Sequence, residues 1–185
     1  MSLINTTDKF KLPFESEHPE PYALSGNRVL IISETWEYIV RDGLNKKTIY
    51  QGRFDEDPKY CSICSIYSYW FYELSYSRLF YYSPTHSTFR FFNFENQKVE
   101  KEIPCHFTIY REFEFFMFLE YNEEKKKIYF VRMKEFGKCI IEECSEKSPQ
   151  DITLIAEFEL NNPNCIYYDR QILYFGTEKI GRASC

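Results

Sequence analysis

The chain has 185 residues, a formal net charge of -5 at pH 7 and an isoelectric point near 5.4. That length suits one domain burying about two-thirds of its unfolded surface. The acidic balance argues against general affinity for nucleic acid or anionic membrane, which needs surplus Lys and Arg to displace counterions.

Eighteen Phe, sixteen Tyr and two Trp make 19% of the residues, a composition suited to pleated, half-buried surfaces. Six Gly and eight Pro are too few for a collagenous or low-complexity chain. No run of 18 apolar residues occurs, so no helical membrane span is expected. Residues 1–14 lack a charged-then-apolar signal pattern. Seven cysteines without framework spacing fit a reducing compartment, so a cytoplasmic or nuclear location is expected.

Residues 1–25 carry Pro13, Pro19 and Pro21 among charged residues and read as an extended N-terminal arm, with one short strand at 9–14. From residue 26 to 185 the pattern is strand after strand, broken at Asp-Gly, Asn, Pro or Lys/Glu clusters. The first unit runs 29–33, 36–41, a turn at Asp42-Gly43, then 47–51. The second runs 79–83, 88–94, a turn at Glu95-Asn96-Gln97, then 98–103. A third takes 116–120, 127–133, a turn near Phe136-Gly137 and 138–144. A fourth takes 165–169, 171–175, a turn at Thr177-Glu178 and a final stub to Cys185.

The leading strands of these units start 50, 37 and 49 residues apart, and propeller blades recur every 40–50. The gaps hold one further strand before each later unit, at 63–70, 107–110 and 152–158, giving four strands per blade. Residues 67–82 and 113–121 are apolar nearly throughout. An antiparallel strand with one wet face should alternate, so these strands must be covered on both faces, as in stacked blades. Lys98-Val99-Glu100-Lys101-Glu102-Ile103 does alternate and is expected at a blade's outer edge. The expected fold is therefore all-β: about four propeller-blade-like antiparallel sheets in a small or incomplete β-propeller. The fourth unit lacks an outer strand, which residues 9–14 would supply if the ring closes.

The run Phe89-Arg90-Phe91-Phe92-Asn93-Phe94-Glu95-Asn96-Gln97-Lys98 resembles the outer hairpin of WD40- and kelch-type repeats. The Gly-His and Trp-Asp signatures of the first and the paired glycine of the second are missing. The resemblance implies the propeller superfold and carries no site residues; by analogy with such repeats it implies an interaction platform.

Candidate chemistry is sparse. Cys61-Ser62-Ile63-Cys64 is a C-x-x-C, but Cys64 enters an apolar strand, and Cys139 and Cys144, five apart, should face opposite ways. Buried cysteines acting as small hydrophobes are expected instead. Cys105 and His106 are neighbours that point to opposite faces of a strand and cannot serve each other. His18 sits beside a proline in an expected loop, and Glu112 and Glu114 read as surface carboxylates. Lys125-Lys126-Lys127 follows Glu123-Glu124 and reads as a solvated hairpin tip. No catalytic, metal or cofactor site is expected.

Aromatic excess remains, and Tyr is enriched where proteins meet partners. Tyr72 and Tyr76 in one loop region and His86 in another are the expected partner-binding residues. The expected function is a noncatalytic protein–protein interaction module; the alternatives are a small-ligand or glycan-binding propeller, or an enzyme with a central-channel site. Open blade edges would also favour self-association.

Overall fold

The computed structural model describes residues 12–16, 19–58, 71–105, 115–134, 138–159, 163–169 and 172–177. The described residues form strands and no α-helix. The first sheet comprises β1 (Glu20–Leu24), β2 (Arg28–Ile32), β3 (Glu37–Asp42) and β4 (Thr48–Arg53). The second comprises β5 (Phe71–Ser75), β6 (Arg78–Ser83), β7 (Thr88–Asn93) and β8 (Lys98–Pro104). In the third are β9 (Phe115–Asn122), β10 (Lys127–Lys134), β11 (Lys138–Ser145) and β12 (Ser148–Glu159). The strands β13 (Pro163–Asp169) and β14 (Ile172–Thr177) pair as a two-stranded ladder. Each sheet meanders in sequence order with every neighbour antiparallel. These are the propeller-blade-like sheets expected, in an array that is open among the described residues.

Two registers differ from the sequence reading. Glu20–Leu24, expected in the N-terminal arm, is the first strand of the first sheet and pairs with β2 from Glu20↔Ile32 to Leu24↔Arg28. Pro21 stands in it, on an edge strand, where a missing N–H need not interrupt the ladder. In the third sheet the strand matching β2 and β6 is β10, not β9. Second strands thus begin at Arg28, Arg78 and Lys127, with a nearly constant period of 50 and then 49 residues. The 152–158 segment belongs to the third sheet's outermost strand rather than leading the fourth unit. The expected strands at 63–70 and 107–110 lie outside the described residues, as do residues 9–11; residues 12–14 are not a strand.

The core explains why the middle strands do not alternate. On β6 and β7, Leu79, Tyr81, Phe92 and nearby Phe94 face the first sheet, packing with Leu30, Ile32, Tyr38 and Val40. The intervening Phe80, Tyr82, Phe89 and Phe91 face the third sheet, packing with Leu119, Tyr121, Ile128 and Phe130. Cross-strand pairs respect the two faces: Leu79↔Phe92 on one, Phe80↔Phe91 on the other. The second sheet is therefore buried on both sides, and each fully buried Leu or Phe contributes about 1.5–3 kcal/mol. Its outer strand β8 is exposed along most of its length, as an edge should be, but it does not alternate strictly: Ile103 is in, whereas Lys98 and the consecutive Glu100, Lys101 and Glu102 are out, because the ladder slips between Phe91↔Lys101 and Phe92↔Val99.

Four turns share one local solution. Asp42 Oδ1 accepts from the backbone N–H of Leu44 at 2.8 Å, Asn93 Oδ1 from Glu95 at 2.8 Å, Asn122 Oδ1 from Lys125 at 2.9 Å and Ser83 Oγ from His86 at 3.2 Å. Each turn ends on a left-handed residue: Lys46, Gln97, Lys126 and Ser87, with φ of 59°, 56°, 53° and 52°. Short polar side chains that mimic a backbone acceptor stabilise such turns. The N–H groups of Asn45 and Leu44 hold the exposed Asp42 carboxyl below its ordinary value of 3.8. Its stabilising contribution is thus full above the ordinary carboxylate range and disappears as pH falls through the lowered value. A carboxyl-carbon NMR titration should show an Asp42 midpoint below 3.8; a midpoint at or above it would break this account of the turn.

Candidate functional site

The antiparallel meander places the β1–β2, β3–β4, β5–β6, β7–β8, β9–β10 and β11–β12 turns at one end of the sheets. Arg28 ties the first two sheets together there. Its side chain is 1% exposed, forms an ion pair with Glu73 on β5, and donates through Nη1 to the Tyr76 carbonyl at 2.6 Å and through Nε to the Ser25 carbonyl at 3.0 Å. The same guanidinium lies 3.7 Å from the centre of the Tyr76 ring, a cation–π contact. Ser25 also donates to Glu73, from its N–H at 2.6 Å and its hydroxyl at 3.0 Å. At the next junction Arg78 donates to Glu100 at 3.0 Å and reaches Glu123 at 3.5 Å, and Lys101 pairs with Glu146.

Between the innermost strands of the second and third sheets, this end opens into a shallow cleft of about 220 Å³. Tyr72 and Leu74 from β5 form one wall, and Glu120, Tyr121 and Asn122 of β9 with Glu123 and Glu124 of its turn form the other. Leu74 occupies an irregularity in the β5–β6 ladder, between Glu73↔Leu79 and Ser75↔Arg78, the kind of extra residue that re-aims a side chain. Tyr121 donates its hydroxyl to Glu146. Burial first, then the Glu120 and Glu123 charges, push the Tyr72 phenol up. Burial, helped by Glu146, does the same to Tyr121. Both walls therefore present neutral phenols beside carboxylates.

The opposite end is built differently. After β4 the chain crosses toward the second sheet through Phe54, Asp55, Glu56 and Asp57. Glu56 accepts from the Tyr81 hydroxyl at 3.2 Å, the Thr85 N–H at 3.3 Å and Arg90 at 3.4 Å, and its side chain is 0% exposed. Asp57 donates its N–H to Thr85 Oγ1 at 2.7 Å, and the Trp36 indole donates to the Asp57 carbonyl at 3.2 Å. His86 Nε2 donates to the Asp55 carbonyl at 3.1 Å, which fixes the ring proton on that nitrogen.

Of the three residues nominated from sequence, Tyr72 lines the cleft, Tyr76 stands exposed in the adjacent turn, and His86 lies at the far end holding the connector. The first two are brought to one end; His86 is separated from them. Arg28, Glu73 and Glu120 went unnoticed, because nothing in a lone Arg or Glu within a strand signals what the neighbouring sheet will place against it. Cys105, Cys139 and Cys144 are buried; burial raises the Cys139 thiol and pushes Cys144 to about 12. Cys144 packs toward the second sheet while Cys139 lies on the opposite face of β11, as the spacing requires. Among the described residues no three His, Cys, Asp or Glu side chains cluster as metal ligands. Cys61, Cys64, His18, His106, Glu112 and Glu114 lie outside the described residues.

No protein-family model matches the chain, and no curated protein matches it. Among solved structures it is similar to KlHsv2 with loop 6CD replaced by a Gly-Ser linker, at 6% identity over 82% of this chain and 42% of that one, with a TM-score of 0.46. The computationally designed Ika8 protein is similar at 9% identity over 84% of this chain and 41% of its own, with a TM-score of 0.40. BamB from Moraxella catarrhalis follows at 9% identity over 77% and 37%, with a TM-score of 0.36. The chain spans less than half the length of each.

Proposed function

We propose that the chain is a noncatalytic protein-interaction module whose recognition face is the end carrying Tyr72, Tyr76 and the cleft. The observation that carries this reading is the state of Tyr76. Its side chain is 55% exposed, yet the ring is pinned from below by Arg28 at 3.7 Å and flanked edge-on by Tyr50 at 6.5 Å. An exposed aromatic already held in place loses little freedom on binding, and Tyr is among the residues that anchor partners. Leu44, 79% exposed, belongs to the β3–β4 turn at the same end.

The electrostatics support binding over chemistry. Burial raises the Tyr38, Tyr81, Cys139 and Cys144 groups, and hydrogen bonds lower Asp42 and Glu100, so each of these holds a single protonation state at neutral pH. A general acid or base works best near the operating pH.

Photo-crosslinking tests the reading. A benzophenone amino acid at Tyr76 should trap a discrete partner from the protein's native cells, and the same probe at Arg53, exposed at the far end of β4, should not. In an affinity pull-down of the partner so identified, Tyr76→Ala should weaken capture about tenfold, the usual loss at an aromatic anchor, while the chain still melts cooperatively and at most slightly lower, since Arg28 loses only the ring contact. Equal trapping at both positions would defeat the assignment.

A further inference from the structure

We propose that the β5–β9 cleft receives the cationic end of a lysine or arginine side chain from a basic segment of the partner protein; this rests on the interaction-module reading above. The volume comes first. About 220 Å³ holds roughly seven waters at ~30 Å³ each and falls below the ~300–1,000 Å³ typical of small-molecule sites. It fits the tip of one long side chain better than a whole metabolite.

The lining then selects the charge. Three of the seven lining residues are carboxylates, two are tyrosines, and none is Lys or Arg. Glu123 has only a 3.5 Å approach from Arg78 across a solvent-exposed gap, and Glu124 pairs with no described residue. A cation entering between them meets carboxylates on one side and the Tyr72 side chain on the other, and the charge attraction strengthens as water leaves. One turn away the fold already joins a guanidinium, a tyrosine face and a carboxylate in Arg28, Tyr76 and Glu73. The cleft brings the last two residue types of that trio together, a tyrosine and carboxylates, with no Lys or Arg in its lining.

The test uses the full chain and a fluorescent, acetyl-capped hexalysine peptide, read by anisotropy, beside the same peptide acetylated at every Nζ. The lysine peptide should bind and the acetylated one should bind at least about tenfold more weakly, with affinity falling as salt rises. The double variant Glu123→Gln/Glu124→Gln should weaken binding about fivefold, and Tyr72→Leu about threefold, with melting unchanged in both.

Because the whole chain is acidic, a matched control is required: Asp151→Asn/Glu159→Gln, on exposed positions of β12, should leave binding within about twofold. A control that weakens binding as much as the cleft variant overturns the proposal, as does equal binding of the acetylated peptide. Sedimentation of the chain alone supplies a further outcome. A dimer that Glu123→Gln/Glu124→Gln dissociates would make the occupant a second copy, offering its own Lys125-Lys126-Lys127, and would likewise overturn a separate partner. If the lysine peptide fails while crosslinking at Tyr76 still traps a partner, the cleft assignment falls and the interaction module stands.

Discussion

Phe80→Ala is expected to lower the unfolding free energy by about 3–5 kcal/mol and Tm by on the order of 10 °C, read by urea and thermal denaturation. Phe80 is 0% exposed. Its ring meets Phe89 at 5.7 Å, Phe91 at 4.9 Å and Tyr121 at 5.2 Å, so truncation empties the centre of the contact between the second and third sheets. Such interiors are packed to crystal-like density and collapse only partly around a void. The adjacent Leu79, also 0% exposed, faces the first sheet, and Leu79→Ala should cost about 2–4 kcal/mol. That consecutive strand residues should both be expensive is the decisive feature, since on a strand with one wet face one of the two would be nearly free. Leu154→Ala, at a 55% exposed position on β12, should stay within about 0.5 kcal/mol of the parent. A cheap result at either Leu79 or Phe80 would mean that the second sheet is not sandwiched between two others.

The same feature made the fold legible. Uninterrupted apolar residues at 79–82 can only be satisfied by cover on both faces, and Lys98–Pro104 announces an outer edge by its charged, mostly exposed residues. What misled was the third sheet. There β9 is the apolar strand, while β10 begins with Lys127 and ends with Lys134, so apolarity alone matched β9 to β2 and β6. The short 37-residue interval was the trace of that slip. The first strand was hidden by Pro21, which weakens any strand signal except at an edge. Of the recognition face, the tyrosines could be nominated from composition, but not their grouping. Tyr72 meets Glu120 and Glu123 only because β5 packs against β9 across a sheet boundary, a contact with no local pattern. His86 was set apart for a comparable reason: what it holds, the Asp55 carbonyl, is a backbone group that sequence cannot place.

The connector at the far end carries the second large expected effect. Glu56→Ala should destabilise by about 3 kcal/mol, near the lower end for breaking a buried ion pair. Two facts set that size. The substitution strips an acceptor from the Tyr81 hydroxyl and the Thr85 N–H, both of which anchor the crossing segment to the second sheet. Arg90, 5% exposed, is not wholly stranded, since it keeps Glu102 at 2.7 Å and the Asp55 carbonyl at 3.1 Å. Glu56→Gln retains an acceptor oxygen for Tyr81 and should cost about 1–2 kcal/mol. The double variant Glu56→Leu/Arg90→Met removes both charges but leaves the Tyr81 and Thr85 donors without the Glu56 acceptor, so it should recover no more than about 1 kcal/mol relative to Glu56→Ala. Burial, and then the Glu56 charge, raise the Tyr81 phenol, so the donor in this network stays protonated across the neutral range and its loss is not a matter of pH. Urea denaturation of the three variants decides the matter. A Glu56→Ala protein within about 0.5 kcal/mol of the parent would show that water reaches Arg90, and that the connector is held by Phe54 and Trp36 rather than by its carboxylate.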